Sequence, residues 1–218
     1  MRYRLACFDL DGTLLDTLPG LANALNAARK MNGLPPQPEE RVKSFIGNGV
    51  EKMIERSLDD DPGTWDEDLK MRLLNDRLSY YAANCIEKTK PYDGITEMLS
   101  KLRSSGMLLA VVTNKDEVPT QILIDHFFPD TFDYVRGSQP GMIHKPDPEV
   151  IRRCLDHLGV NPGECVYIGD SEVDIKTAEA GGIDLISCDW GYRSRAFLME
   201  NGAGKICSDP ADIWRLMQ

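Results

Sequence analysis

The chain has no cationic surplus, no apolar run long enough for a membrane and no closely spaced pair of cysteines. Lys and Arg number 25 against 35 Asp and Glu in 218 residues, a net charge of −10. A protein that grips a phosphate backbone needs a basic face, so no nucleic acid is expected as a partner. A membrane helix needs about 18 apolar residues in a row. Nothing here approaches that, so no membrane is expected either. The six cysteines, Cys7, Cys85, Cys154, Cys165, Cys188 and Cys207, are scattered, without a C-x-x-C pair or a Cys/His cluster. Zinc is therefore set aside, and the thiols read as buried and reduced, as in a cytoplasmic protein. The stretch 1–8 is too short, and too soon broken by charge, for a signal peptide. Internal repeats and low-complexity segments are absent as well.

What remains is an ordinary globular composition, 42% hydrophobic, in a chain long enough to bury a core without staples. Leu5-Ala6-Cys7-Phe8 is a short apolar run that stops at Asp9, suited to a buried strand. From about Thr17 to Glu87 the apolar residues recur at helical spacing, as in Leu18, Leu21, Ala22, Leu25 and Ala28, and again from Val50 to Leu58 and from Leu74 to Cys85. The acidic run Asp59-Asp60-Asp61 in this region reads as a solvated loop. After Pro91-Tyr92-Asp93-Gly94 the pattern changes to alternation. A helix from Ile95 ends at Gly106, and Met107 to Val112 is a continuous apolar run suited to a strand covered on both faces. A weaker strand (Phe132 to Val135), a helix (Val150 to Leu158), a strand (Cys165 to Ile168), a helix (Val173 to Ala180) and a strand (Ile183 to Ser187) follow, with short helices near Ala196 and from Pro210.

Alternating strands and helices imply an α/β fold, a Rossmann-like parallel sheet with helices on both faces. About 70 helical residues separate the first strand from the others. They imply an inserted helical domain at 17–88, and a core made of 1–16 and 89–218.

Ligands of such sheets bind beyond the carboxyl ends of the strands. Beyond the first strand lies Asp9-Leu10-Asp11-Gly12-Thr13; beyond Val112 lie Thr113, Asn114 and Lys115; beyond Ile168 lies Gly169-Asp170-Ser171, with Asp174 one helical turn on. Lys145 falls in the irregular stretch Gly137 to Pro148. Three carboxylates at 9, 11 and 170 stay ionised together only around a cation. A small set of hard oxygen ligands suits Mg2+, which shares its ligands with phosphate. Thr113 and Asn114 are expected near the N-terminus of the following helix, a favourable place for phosphate oxygens, with Lys145 adding positive charge.

The chain resembles the haloacid dehalogenase-like phosphatases. The resemblance is carried by Asp9-Leu10-Asp11-Gly12-Thr13-Leu14, Val112-Thr113-Asn114, Lys145-Pro146-Asp147-Pro148 and Gly169-Asp170-Ser171-Glu172-Val173-Asp174. The helical insert falls where that family carries its smaller, helical cap. Phe45-Ile46-Gly47-Asn48-Gly49 and Lys90-Pro91-Tyr92-Asp93-Gly94 are most similar to phosphoglycolate phosphatases. The resemblance implies a small phosphorylated metabolite as substrate, with 2-phosphoglycolate first. It implies Asp9 as nucleophile, Asp11 as acid and base, and Mg2+ held by Asp9, the backbone carbonyl of Asp11, and Asp170. Asp174 would act behind them, while Thr113, Asn114 and Lys145 would hold phosphoryl oxygens. The turn Gly47-Asn48-Gly49 is a candidate for substrate binding, and equally a simple start to the helix after it. Rival readings are a phosphatase of another small phosphate (a nucleotide or pyrophosphate), a sugar phosphomutase, and, outside enzymes, a receiver-like or silent phosphate-binding module.

Overall fold

The computed structural model describes residues 2–61, 63–139 and 141–218. In chain order its elements are β1 (Leu5–Phe8), β2 (Leu15–Asp16), α1 (Leu18–Met31), α2 (Glu39–Phe45), α3 (Val50–Asp59), α4 (Glu67–Asn84), β3 (Lys90–Pro91) and α5 (Ile95–Ser104). They continue with β4 (Leu108–Asp116), α6 (Glu117–Phe127), β5 (Tyr134–Ser138), α7 (Glu149–Leu158), β6 (Cys165–Gly169), α8 (Glu172–Gly181), β7 (Asp184–Cys188), α9 (Arg195–Glu200), β8 (Ile206–Cys207) and α10 (Ile213–Leu216). Two compact units result, Met1–Asp16 with Pro91–Gln218, and Thr17–Lys90.

In the first unit the strands line up as β5-β4-β1-β6-β7-β8, with every pairing parallel. Parallel sheets need cover on both faces, and the strand residues show it. Leu5, Cys7, Ala110, Val112, Cys165 and Tyr167 pack with Val150, Ile151, Cys154 and Leu155 of α7 and Ala178 of α8. Their strand neighbours Ala6, Phe8, Leu109, Val111, Val166 and Ile168 face the other way and are equally buried. The chain leaves β1 toward β4 and β5 on one side and reaches β6, β7 and β8 on the other. The order therefore reverses at β1, which puts the crevice of the sheet beyond the ends of β1, β4 and β6.

The strand expected at Phe132 to Val135 lies two residues later. Asp133, just before it, already donates its N–H to Leu109 O (2.8 Å), and its carboxylate accepts from Leu109 N–H (2.9 Å) and from Arg103. Thr113 and Asn114 lie close before the helix that follows them, as expected. They belong to β4, which runs on to Asp116, so they precede the first turn of α6 rather than forming it.

The second unit is helical, with α1 packed on α4 and α2 and α3 beside them. Arg29 of α1 is fully buried at its centre. Its guanidinium donates to Pro35 O, Ser57 O, Ser57 Oγ and both oxygens of Asp61, all at 2.7–2.9 Å. A buried charge is tolerated only when its donors are matched in this way. Asp61 is thus part of the fold of this unit, and Asp60 pairs with Arg41. The acidic run is not the solvated loop its sequence suggested. The six cysteines are buried free thiols. Among the described residues, no helix is long and apolar enough to cross a membrane.

Candidate active site

β1 ends in a tight loop. Leu10 O accepts from the N–H groups of Thr13, Leu14 and Leu15, so the chain turns back within five residues. Gly12 sits in this loop at φ +81°, and a Cβ there would collide with the Asp170 carboxylate. Only glycine meets both demands. The loop brings Asp9, at the end of the strand, up to Asp170 at the end of β6.

Asp9, Asp170 and Asp174 are all buried, and one carboxylate oxygen from each lies within 4.8 Å of the others. Two like charges at that distance repel by roughly 3–4 kcal/mol at an effective dielectric near 20. Burial pushes the Asp9 carboxyl up to about 6, with Lys145 drawing it back and Asp174 adding to the rise. Burial, then Asp174 and Asp9, pushes Asp170 up to about 8.

Each carboxylate is nevertheless held in place. Asp9 accepts from Leu10 N–H (2.8 Å) and from the Thr113 side chain. Asp170 accepts from Thr13 Oγ (3.1 Å) on one oxygen and from Tyr192 N–H (2.7 Å) on the other. Trp190 Nε1 in turn donates to Thr13 O. Asp174 Oδ2 accepts from the N–H (3.0 Å) and hydroxyl (2.6 Å) of Ser171, which caps α8 reciprocally.

Lys145 lies among these acids, its side chain 2% exposed. Its ammonium is 2.9 Å from Asp9 Oδ1, 2.7 Å from Asp174 Oδ1 and 3.0 Å from the Tyr167 hydroxyl. Burial works against its charge, but Asp174 and Asp9 more than offset that and hold the proton well above the usual lysine range.

The end of β4 ties the rest together. Asn114 spends its amide on the backbone of Lys145, accepting from Lys145 N–H at 2.8 Å and donating to Lys145 O at 3.0 Å. Lys115 reaches Asp11, its Nζ 2.9 Å from Oδ1. Three successive residues, Thr113, Asn114 and Lys115, thus hold Asp9, Lys145 and Asp11 in turn.

The structure therefore gathers Asp9, Asp170, Asp174, Lys145 and Thr113 at one point, with Asn114 holding Lys145 from behind and Asp11 drawn to Lys115. Gly47, Asn48 and Gly49 belong to the other unit. There Asn48 Oδ1 accepts from Arg56 Nη2 at 2.7 Å, Arg56 Nη1 donates to Phe45 O, and Gly49, at φ +85°, opens α3. The sequence alone assigns no role to Lys115, Ser171 or Tyr167, although Lys115 and Ser171 stand at strand ends. Lys115 had a visible signal, a lysine two places after Thr113 at a strand end. Tyr167 had none, since an aromatic inside an apolar strand reads as core.

Three clustered carboxylates, with one buried lysine against Asp9 and Asp174, form a hard, oxygen-rich donor set with more negative than positive charge. A small divalent cation fits it.

The haloacid dehalogenase-like hydrolase family model matches residues 6–188. A phosphoglycolate phosphatase of Mannheimia succiniciproducens is 33% identical over 225 aligned positions, covering 99% of both chains. A solved structure from Lactobacillus delbrueckii subsp. bulgaricus superposes with a TM-score of 0.93 at 36% identity, covering 100% of this chain and 99% of that one. A haloacid dehalogenase-like family hydrolase from Streptococcus pneumoniae superposes at 0.88 with 27% identity, over 100% of this chain and 99% of the other.

Proposed function

The chain belongs to the haloacid dehalogenase-like hydrolase family, and from that footing we propose that it is a cytoplasmic, Mg2+-dependent phosphatase of small phosphorylated metabolites, 2-phosphoglycolate first among them. The observation that carries the reading is the buried cluster of Asp9, Asp170 and Asp174, two of them paired with Lys145, at the point where the strand order reverses. The choice of substrate follows the phosphoglycolate phosphatase named among its relatives.

Asp9 and Asp170, with the backbone carbonyl of Asp11, would hold the metal, which when bound supplies positive charge to the phosphoryl oxygens. In the first step a carboxylate oxygen of Asp9 attacks phosphorus. The ester P–O bond breaks, its electron pair goes to the leaving oxygen, and that oxygen takes a proton from Asp11. In the second step water gives a proton to Asp11 as its oxygen attacks phosphorus. The bond from phosphorus to Asp9 breaks, returning the electron pair to the carboxylate and releasing inorganic phosphate. As Asp9 bonds to phosphorus, the Thr113 hydroxyl and the Lys145 ammonium, which meet its carboxylate beforehand, turn to the phosphoryl oxygens. Asn114 acts by fixing the backbone of Lys145, and Asp174 by fixing its ammonium. Gly47, Asn48 and Gly49 contribute to the choice of substrate.

The test is a panel of phosphorylated metabolites, including phosphoglycolate, a nucleotide, pyrophosphate and a sugar phosphate, scored by kcat/KM with Mg2+ and with EDTA. Release of phosphate, fastest from phosphoglycolate and lost in EDTA, is the expected result. Conversion of the sugar phosphate to an isomer would favour the mutase reading. No turnover of any member would leave a binding module.

A further inference from the structure

Lys115 is a second buried lysine beside the site, its side chain 3% exposed, and its Nζ lies 2.9 and 3.1 Å from the two oxygens of Asp11. Fixing a lysine side chain forfeits up to about 2 kcal/mol of rotamer freedom, and burying it unpaired costs more. Its placement therefore needs a cause, and the backbone supplies one.

The register of β4 against β5 slips between Val112 and Asp116. Such an irregularity bends a strand and re-aims its side chains. Beside it the Lys115 backbone meets two threonines, and Thr120 Oγ also donates to Asp116 O at 2.8 Å. The Lys115 N–H donates to Thr113 Oγ at 3.3 Å, and the Lys115 carbonyl accepts from Thr120 Oγ at 3.4 Å. The far end is fixed as well. Gly137 N–H donates to Glu117 Oε2 at 2.6 Å, and a side chain on Gly137 would overlap the Glu117 backbone. A register slip, two threonine contacts and a close glycine contact thus surround a lysine that reaches the carboxylate of a loop residue. Asp11 itself is 14% exposed and sits beside the turn at Gly12.

We infer that Lys115 is a positioning residue that holds the Asp11 carboxylate in the orientation from which it exchanges its proton with the leaving oxygen and with water. The inference rests on the role proposed above for Asp11. Lys115 exchanges no proton and makes or breaks no bond; it acts through Asp11 alone.

A double-mutant cycle separates this from its rivals, because a residue that works only through another loses its effect once that other is gone. On phosphoglycolate, Lys115→Met should lower kcat at least about tenfold while KM stays within about threefold. In an Asp11→Asn background the same change should move kcat less than about twofold. Lys115→Gln is read in the same cycle should the Met variant not fold. Losses that add in the two backgrounds would make Lys115 merely structural and overturn the inference. A raised KM with unchanged kcat would make it a substrate contact and overturn it too. An Asp11→Asn enzyme with unimpaired kcat would instead refute the role of Asp11 itself, and the inference with it.

Discussion

Tyr167 is the seat of Lys145: its hydroxyl accepts from the lysine ammonium at 3.0 Å and donates onward to Val112 O at 2.7 Å. An ammonium has three N–H donors. Those of Lys145 meet three oxygens, on Asp9, Asp174 and Tyr167. The lysine is the counter-charge built into a buried acidic site, and its position is set by the sheet rather than by a loop.

Lys145→Met should therefore destabilise the protein as well as inactivate it. The substitution leaves Asp9 and Asp174 buried without their partner, and losing one side of a buried ion pair costs about 3–5 kcal/mol. Urea unfolding in EDTA checks this. A loss below about 1 kcal/mol would show that the carboxylates relax into solvent.

Stability of the metal-free protein should fall as pH rises through neutrality. Asp9 and Asp170 hold their protons more tightly in the folded chain, up to about 6 and about 8, than in the unfolded chain, where a carboxyl titrates near 3.9. Between about pH 4 and about pH 8 the folded state then carries more protons, so stability falls with rising pH. Adding Mg2+ should raise Tm more at about pH 8 than at about pH 5, because at the lower pH the cation must displace protons. Asp170→Asn should flatten the decline in EDTA. A Tm gain from Mg2+ that does not vary with pH would contradict the assignment of this cluster.

Gly12→Ala tests the turn that brings Asp9 to Asp170. The new Cβ meets the Asp170 carboxylate at a backbone φ of +81°. Strain of this kind costs about 1–3 kcal/mol, and the carboxylate must move. Activity should fall more than about tenfold in a chain that still folds, read by kcat and by thermal unfolding side by side. Full activity would mean that the position of Asp170 matters little.

Asn48→Ala distinguishes a specificity element from a simple turn. It should lower kcat/KM for phosphoglycolate at least about tenfold and leave turnover of para-nitrophenyl phosphate nearly unchanged. Asn48 also accepts from Arg56, so an equal loss on both substrates would assign it to the fold of the helical unit.

The parallel sheet and most of its site could be read from the sequence because both depend on local patterns. Apolar runs that stop at Asp9, Val112 and Ile168 announce strands, and polar residues just beyond a strand end fall on the rim. Less visible were elements with weak patterns. Of the seven residues of α2, only Val42 and Phe45 are buried, too few to form a stripe. α6 begins Glu-Val-Pro and carries no distinct apolar face. Contacts across the sheet were invisible in principle. Tyr167 meets Lys145 from 22 residues away, and Lys115 meets Asp11 from 104. Neither spacing has a period that a single sequence can reveal.

In the proposed mechanism Asp9 carries the phosphoryl group between the two steps. Asp11→Asn should slow the second step most for a substrate whose leaving group needs no proton, so para-nitrophenyl phosphate should load the variant. Acid quench, borohydride reduction of the acyl phosphate and peptide mass spectrometry then read position 9 directly. Reduction at Asp9 is expected, to a degree that follows the burst of nitrophenolate. Nitrophenolate release with Asp9 unmodified throughout would contradict the mechanism.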